Sequence, residues 1–235
     1  GIYFATMWGL VIWLFVRPEK IGLLDVVRVS LFTSITGAFI VGFLYRLPGL
    51  SAVLGATHDP KILVRLPAYV FGVGLLEESV KAVPLLWIFV RNREPGTLRE
   101  ISYLGCVSGF AFGVSEAVSY SLFYAQGVAS GSMSLGAFVV VQLTRLITLP
   151  LLHAVFSGVA GVFIALGVET RSLRFALILS GLGLAALIHG VYNALSGTLL
   201  GFAVAVAAVL LFIGYVRGVE EMRIGVRAAA RELDG

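Results

Sequence analysis

Residues 73–87, Val-Gly-Leu-Leu-Glu-Glu-Ser-Val-Lys-Ala-Val-Pro-Leu-Leu-Trp, carry Glu77, Glu78 and Lys81 through an otherwise apolar run. Glu116, His153 and His189 lie in apolar runs of their own, and Asn193 follows His189 by one helical turn. Carboxylates and imidazoles exchange protons near neutral pH and ligate metal ions. The set is therefore suited to activating water, holding a cation or relaying protons. Helical spacing groups these residues further: Glu77 with Lys81, Glu116 with Phe112 and Tyr120, and His189 with Asn193 each share a helix face. Glu77 and Glu78 are about 100° apart around a helix, so only one of them is expected to face a common interior.

The elements that must position these groups are membrane spans. The chain has 235 residues, 59% of them hydrophobic and 13% charged, with a mean hydropathy of +0.99. Such values belong to multi-pass membrane proteins. Seven apolar runs approach or exceed the ~20 residues a helix needs to cross a bilayer: Ile2 to Val16, Leu23 to Tyr45, Leu63 to Val90, Ile101 to Tyr124, Leu135 to Val168, Phe175 to Leu195 and Leu199 to Val216. The fifth is too long for one straight span, and Pro150 is expected to kink or divide it. The expected architecture is all-α, a polytopic bundle of about seven to eight transmembrane helices around a buried polar chamber. Residues 1–216 form one domain with a motif-bearing core at 63–196, and 217–235 form a charged tail. The first residue is Gly rather than Met, which leaves room for a further helix ahead of it.

The formal charge of +4 is topological rather than a sign of nucleic acid. Twelve basic residues, among them Arg17, Arg91, Arg93, Arg171 and Arg217, fall on one set of connections and about three on the other. The positive-inside bias then places the N-terminus outside and the C-terminus in the cytoplasm. Cys106 is the single cysteine, which excludes a disulfide framework and a Cys-rich metal site. Counting helical rise from the cytoplasmic charges puts Glu77, Glu78, Glu116, His153 and His189 about 20 to 24 Å deep. Five groups from four helices thus share one slab. Small residues beside them, as in Gly109-Phe-Ala-Phe-Gly113 and Ser157-Gly-Val-Ala-Gly161, let helices approach closely.

Several chemistries are excluded by residue type. Asp25, Asp59 and Asp234 lie in or near loops, so no intramembrane aspartyl pair exists; no HExxH pair is present; and Gly113-Val-Ser115-Glu116 lacks the second glycine of a serine elbow. What remains is Glu77-Glu78-Ser-Val-Lys81, Phe112-Gly-Val-Ser-Glu116-Ala-Val-Ser-Tyr120, Arg145 with His153, and His189-Gly-Val-Tyr-Asn193, in that order on successive runs. These resemble the EExxK, FxxxExxxY, Arg/His and HxxxD/N motifs of the PrsW family of membrane-embedded proteases, distant relatives of the CAAX prenyl endopeptidases. Asn193 stands where many members carry an acidic residue.

The resemblance implies hydrolysis of a peptide bond in a membrane-anchored protein, such as an anti-sigma factor. It implies a catalytic set of Glu77, Glu78, Glu116, His153, His189 and Asn193, with Lys81, Phe112, Tyr120 and Arg145 in support. One glutamate with the histidines would activate water, and Asn193 or a histidine would stabilise the oxyanion. Tyr120 is a candidate hydrogen-bond partner for a carboxylate. Two readings of the cofactor stand side by side: no metal, or Zn2+ held from among Glu78, Glu116, His153 and His189. Structural ion pairs, a non-proteolytic membrane protein of the same fold and a proton- or ion-coupled transporter are the competing readings. The single polar layer and the lack of an inverted repeat argue against transport.

Overall fold

In a computed structural model, residues 2–91 and 96–234 are described; Arg93, counted above among the basic connections, lies outside them. All regular structure among the described residues is helical, and eight helices follow the seven apolar runs with one addition. They are α1 (Ile2–Val16), α2 (Leu23–Leu44), α3 (Pro48–Ala56), α4 (62–91), α5 (Leu98–Ala129), α6 (Leu135–Glu169), α7 (Arg174–Leu195) and α8 (Leu199–Asp234). Helices α2, α5, α6, α7 and α8 are long and apolar enough to cross a membrane. The turns 45–48, 129–135 and 195–199 lie at one end of the bundle, called here the upper end. Those at 16–23 and 169–174 lie at the lower end.

Local sequence explains the boundaries. Thr97 and Glu100 form a capping box at the start of α5: Thr97 Oγ1 accepts from the Glu100 backbone at 3.3 Å, and Glu100 Oε2 accepts from the Thr97 backbone at 2.8 Å. Ser134 caps α6. The extra helix, α3, was expected to be loop. Pro48 begins it, where a missing N–H costs nothing because the first helical turn has no acceptor for it.

Helix α4 is not a regular cylinder. Ala68–Gly74 and Leu86–Arg91 are wound as wide π turns, and Pro67 and Pro84 lie within the helix. Proline removes a backbone donor and crowds the turn before it, and π turns are frequent at functional sites. The upper part of α4 packs on α3 and α7, whereas Leu75–Leu85 also meets α2, α5 and α6. That second stretch holds Glu77, Glu78 and Lys81. Helix α2 has a similar wide stretch at Phe32–Gly37. There the Ser34 carbonyl accepts from Ser115 Oγ at 2.6 Å, which joins α2 to α5.

Helix α6 is the most deeply buried span and α5 lies antiparallel beside it. It continues through Pro150 as one helix of 35 residues, so of the kink or division expected there the division does not occur. Pro150 is buried against the bare backbone of Gly113; a proline removes one hydrogen bond from the ladder, and the close neighbour holds the remainder in place. At ~52 Å the helix outreaches the hydrocarbon core. Helix α8 runs as one helix from Leu199 to Asp234, through the charged stretch that follows residue 216. Arg223 Nε and Arg227 Nη2 both donate to Glu169 Oε2, at 2.8 and 2.9 Å, tying that extension to the end of α6.

The seam between α5 and α6 decides whether the site can assemble. A Cβ at Gly109 would strike the backbone carbonyl of His153, and one at Gly113 would lie 2.9 Å from the carbonyl oxygen of Leu149. Gly109→Ala is therefore expected to lower stability by about 1–3 kcal/mol, a drop in Tm of roughly 2–12 °C for a chain of this size. Gly183→Ala, where a methyl would meet nothing within 4 Å, should hold or raise Tm. Thermal unfolding in detergent measures both; equal drops would refute the account of the seam.

Candidate active site

The side chain of Lys81 is fully buried at the centre of the slab. Its Nζ donates to Glu78 Oε1 at 2.8 Å, lies 2.6 Å from His153 Nδ1 and 3.6 Å from Glu77 Oε2, and stands 4.5 Å from the centre of the Phe112 ring. An ammonium group only donates, so His153 Nδ1 accepts and its ring hydrogen sits on Nε2. That Nε2 approaches Glu116 Oε2 to 2.7 Å. The approach lacks hydrogen-bond geometry, and Glu116 Oε2 is a buried oxygen without a hydrogen bond.

Glu78 is saturated. Its Oε1 is shared between Lys81 and His189 Nδ1, the latter at 2.9 Å, and its Oε2 accepts from Ser157 Oγ at 2.8 Å. A carboxylate in this role only accepts, so His189 carries its hydrogen on Nδ1. Its Nε2 lies 3.9 Å from Glu77 Oε2. Phe156 stacks on the His189 ring at 5.0 Å and 20°, fixing its plane. Glu77 Oε1 accepts from the Tyr45 hydroxyl at 3.0 Å, and Glu77 Oε2 has no hydrogen-bond partner. Both glutamates thus enter the chamber, contrary to the expectation that only one would. Lys81, three and four residues on, lies between their directions and draws both carboxylates inward.

The structure brings together Glu77, Glu78, Lys81, Glu116, His153 and His189, with Phe112 as an apolar wall. Asn193 does not join them: it is half-buried one turn above His189 and its side chain forms no hydrogen bond with the described residues. Tyr120 takes no carboxylate either. Its ring lies 3.7 Å beneath the guanidinium of Arg145, and the tyrosine that reaches a carboxylate is Tyr45. Tyr45 and Ser157 were not picked out from sequence. Ser157 could have been, since it follows His153 by one turn of α6; Tyr45 offers no such signal, because only the packing of α2 brings it near Glu77. A deeper layer was also hidden. Ser108 Oγ donates to the Lys81 carbonyl at 2.7 Å and pairs with Thr33 Oγ1 at 2.8 Å, linking α2, α4 and α5.

Donor atoms of Glu77, His153 and His189 lie within 4.8 Å of one another. The metal-ligating set weighed from sequence was Glu78, Glu116, His153 and His189. Glu78 has both oxygens occupied and acts behind His189, whereas Glu77 offers an orphaned one. Three such residues with an open position match a catalytic divalent site, and the Glu78–His189 bond is the carboxylate–histidine pairing that orients a ligand imidazole. Glu77 Oε2 and His189 Nε2 have no hydrogen bond to give up. His153 would join them by giving up its contact to Lys81 or to Glu116.

No curated relative and no solved structure matches the chain. The model of one family, described as PrsW family intramembrane metalloprotease, matches residues 25–218. That range takes in the whole cluster and every helix that supplies it. On this match, and with four of its helices meeting at buried carboxylates and imidazoles, the chain belongs to the PrsW family of intramembrane metalloproteases.

Proposed function

We propose that the Glu77–His153–His189 cluster activates a water that hydrolyses a peptide bond of a membrane-anchored protein. The observation that carries this reading is the buried Glu77 Oε2, which takes no hydrogen bond, has the Lys81 ammonium 3.6 Å away and lies 3.9 Å from His189 Nε2. A buried carboxylate oxygen left without a hydrogen bond is costly, and a catalytic group or a ligand atom has a reason to bear that cost.

Glu77, His153 and His189 are the residues that would hold a divalent cation, Zn2+ by ligand type. Such an ion supplies Lewis acidity, polarising a carbonyl and acidifying water. The remaining work falls to the chain. Glu116 is the half-buried carboxylate of the cluster, with a side chain 26% exposed, beside His153. In the proposed reaction it takes the proton from water as oxygen attacks the carbonyl carbon, then passes it to the amine when the C–N bond breaks. Glu78 holds His189 in one tautomer, and Ser157 fixes the free arm of Glu78. Tyr45 clamps one oxygen of Glu77 so that the other stays aimed inward. Lys81 balances the glutamates, and Asn193, one turn above His189, is the proposed donor to the developing oxyanion.

The charge bias of the connections supports an N-terminus outside and a cytoplasmic C-terminus, and the family resemblance favours a prokaryotic cell membrane. On that orientation the half-buried Tyr120 and Asn193 lie on the outer side of the fully buried cluster. The family resemblance then favours as substrate a single-pass protein such as an anti-sigma factor, cut in the outer half of the bilayer.

Reconstituted in liposomes with single-span substrates, the wild-type chain should cleave. Glu77→Gln, His153→Ala and His189→Ala should each lose at least about a hundredfold in rate. Glu116→Gln should behave similarly, and undiminished cleavage in all four would overturn the reading. Elemental analysis separates the cofactor alternatives: bound Zn2+ near one per chain that disappears in Glu77→Gln and His189→Ala supports the metal site. Metal-free preparations of full activity support glutamate and histidine alone. Ser157→Ala, which frees one arm of Glu78, should weaken metal binding by about 10–100-fold while leaving the helix content unchanged by circular dichroism.

A further inference from the structure

Arg145 is a cation inside an apolar span with no carboxylate paired to it among the described residues. Intramembrane arginines are rare and normally pair with an acid or a backbone carbonyl. Here the guanidinium lies 3.7 Å from the centre of the Tyr120 ring and 5.6 Å from that of Tyr124. The two rings stack on each other at 5.8 Å and 17°, making a flat platform. An aromatic face offsets the charge but takes none of the N–H groups that radiate in the guanidinium plane. The two rings leave the guanidinium without a carboxylate among the described residues. A carboxylate is the planar group that the edge of a guanidinium binds in a two-pronged fashion.

The position of this edge relates it to the reaction. Tyr120 and Tyr124 continue the face of α5 that begins with Glu116, and Glu116 touches His153. Arg145 precedes His153 by eight residues on α6, about 12 Å along the axis toward the upper end. Burial changes in the same direction: His153, His189 and Glu78 are fully buried, whereas Arg145, Tyr120 and Asn193 are half-buried at the rim. A chain entering from the upper end in extended form, rising ~3.3 Å per residue, covers that distance in about three or four residues.

Building on the proteolytic reading above, we infer that Arg145 on its tyrosine platform is a specificity site for an acidic side chain of the substrate, three or four residues from the bond that is cut. Its charge without a counter-charge is completed by the substrate, so an acidic residue at that distance is selected and a lysine there is rejected by like-charge repulsion.

The test uses the full chain in phosphatidylcholine vesicles and single-span peptides that carry Glu, Gln or Lys three or four residues from the cut. Wild type should favour Glu over Gln by about tenfold to a hundredfold in KM, with kcat little changed. Arg145→Gln should bring the Glu-to-Gln ratio to about one, Arg145→Lys should keep part of the preference, and Arg145→Glu should turn it toward the Lys peptide. Equal treatment of the three peptides by wild type overturns the proposal, and that comparison needs no variant to fold. Loss of activity on all peptides alike in Arg145→Gln also overturns it, as a structural role. So does a requirement for phosphatidylglycerol that vanishes in Arg145→Gln while peptide charge has no effect, which assigns the arginine to a lipid phosphate. Binding of the same peptides, read by fluorescence anisotropy, separates the two readings. A Glu preference in binding with no cleavage sinks the protease reading alone, and cleavage without the preference sinks this one alone.

Discussion

An ammonium group inside a helix bundle must be neutralised by what the bundle itself brings to it. Lys81 meets that constraint with Glu78 at 2.8 Å, Glu77 at 3.6 Å and the His153 ring at 2.6 Å. Only the last of these reaches another helix. Two come from the turn of α4 just before Lys81, and the third requires α6. Glu78 in turn engages His189 on α7 and Ser157 on α6, so one buried charge ties three helices to a common depth. The desolvation cost of the ions is met only if every member is satisfied. The network is nearly closed, and its exceptions are Glu77 Oε2 and Glu116 Oε2. Those two oxygens flank the histidines at the place where the chemistry is proposed.

Such a network needs backbones closer than ordinary side chains allow. The glycines of α5 lie directly on the α6 backbone at His153 and Leu149, and Gly190 of α7 lies on Val70 of α4. Between helices in lipid there is little hydrophobic driving force, so close packing and polar contacts must supply the attraction. The close seam and the polar cluster depend on each other. Small residues bring the imidazoles within reach of the carboxylates, and the resulting bonds hold the helices at that separation. The irregular winding of α4 and α2 fits the same logic, because backbone groups freed by π turns are reclaimed by serines, as with Ser115 on the Ser34 carbonyl.

Burial rises steeply across the chamber, from a half-exposed rim of tyrosines and Arg145 to a floor with no water-facing atoms to spare. This gradient orders the site into a part that meets substrate and a part that holds the reacting groups. Glu116, at the boundary, belongs to both. The direct charge interactions are short and dry at the floor, where they are strong, and aromatic at the rim, where a flat guanidinium can rest without a counter-ion.

The sequence by itself determined the helical architecture, the approximate spans, and the fact that Glu77, Glu78, Glu116, His153 and His189 share one depth. Those follow from hydropathy, from 1.5 Å of rise per residue and from the cost of charge in lipid, all local or additive quantities. The order of four motifs also made the family legible before any geometry was known. What only the tertiary structure decided was partnership. It showed Glu77 with a free oxygen and Glu78 saturated, Tyr45 rather than Tyr120 on a carboxylate, Ser157 behind Glu78, and Asn193 apart from the cluster. Pro150 inside an unbroken helix and the helical continuation past residue 216 belong to the same class. The physical reason is that helical periodicity fixes the face and height of a residue but not the rotation and approach of the neighbouring helix. A hydrogen bond of 3 Å is settled by those two variables alone.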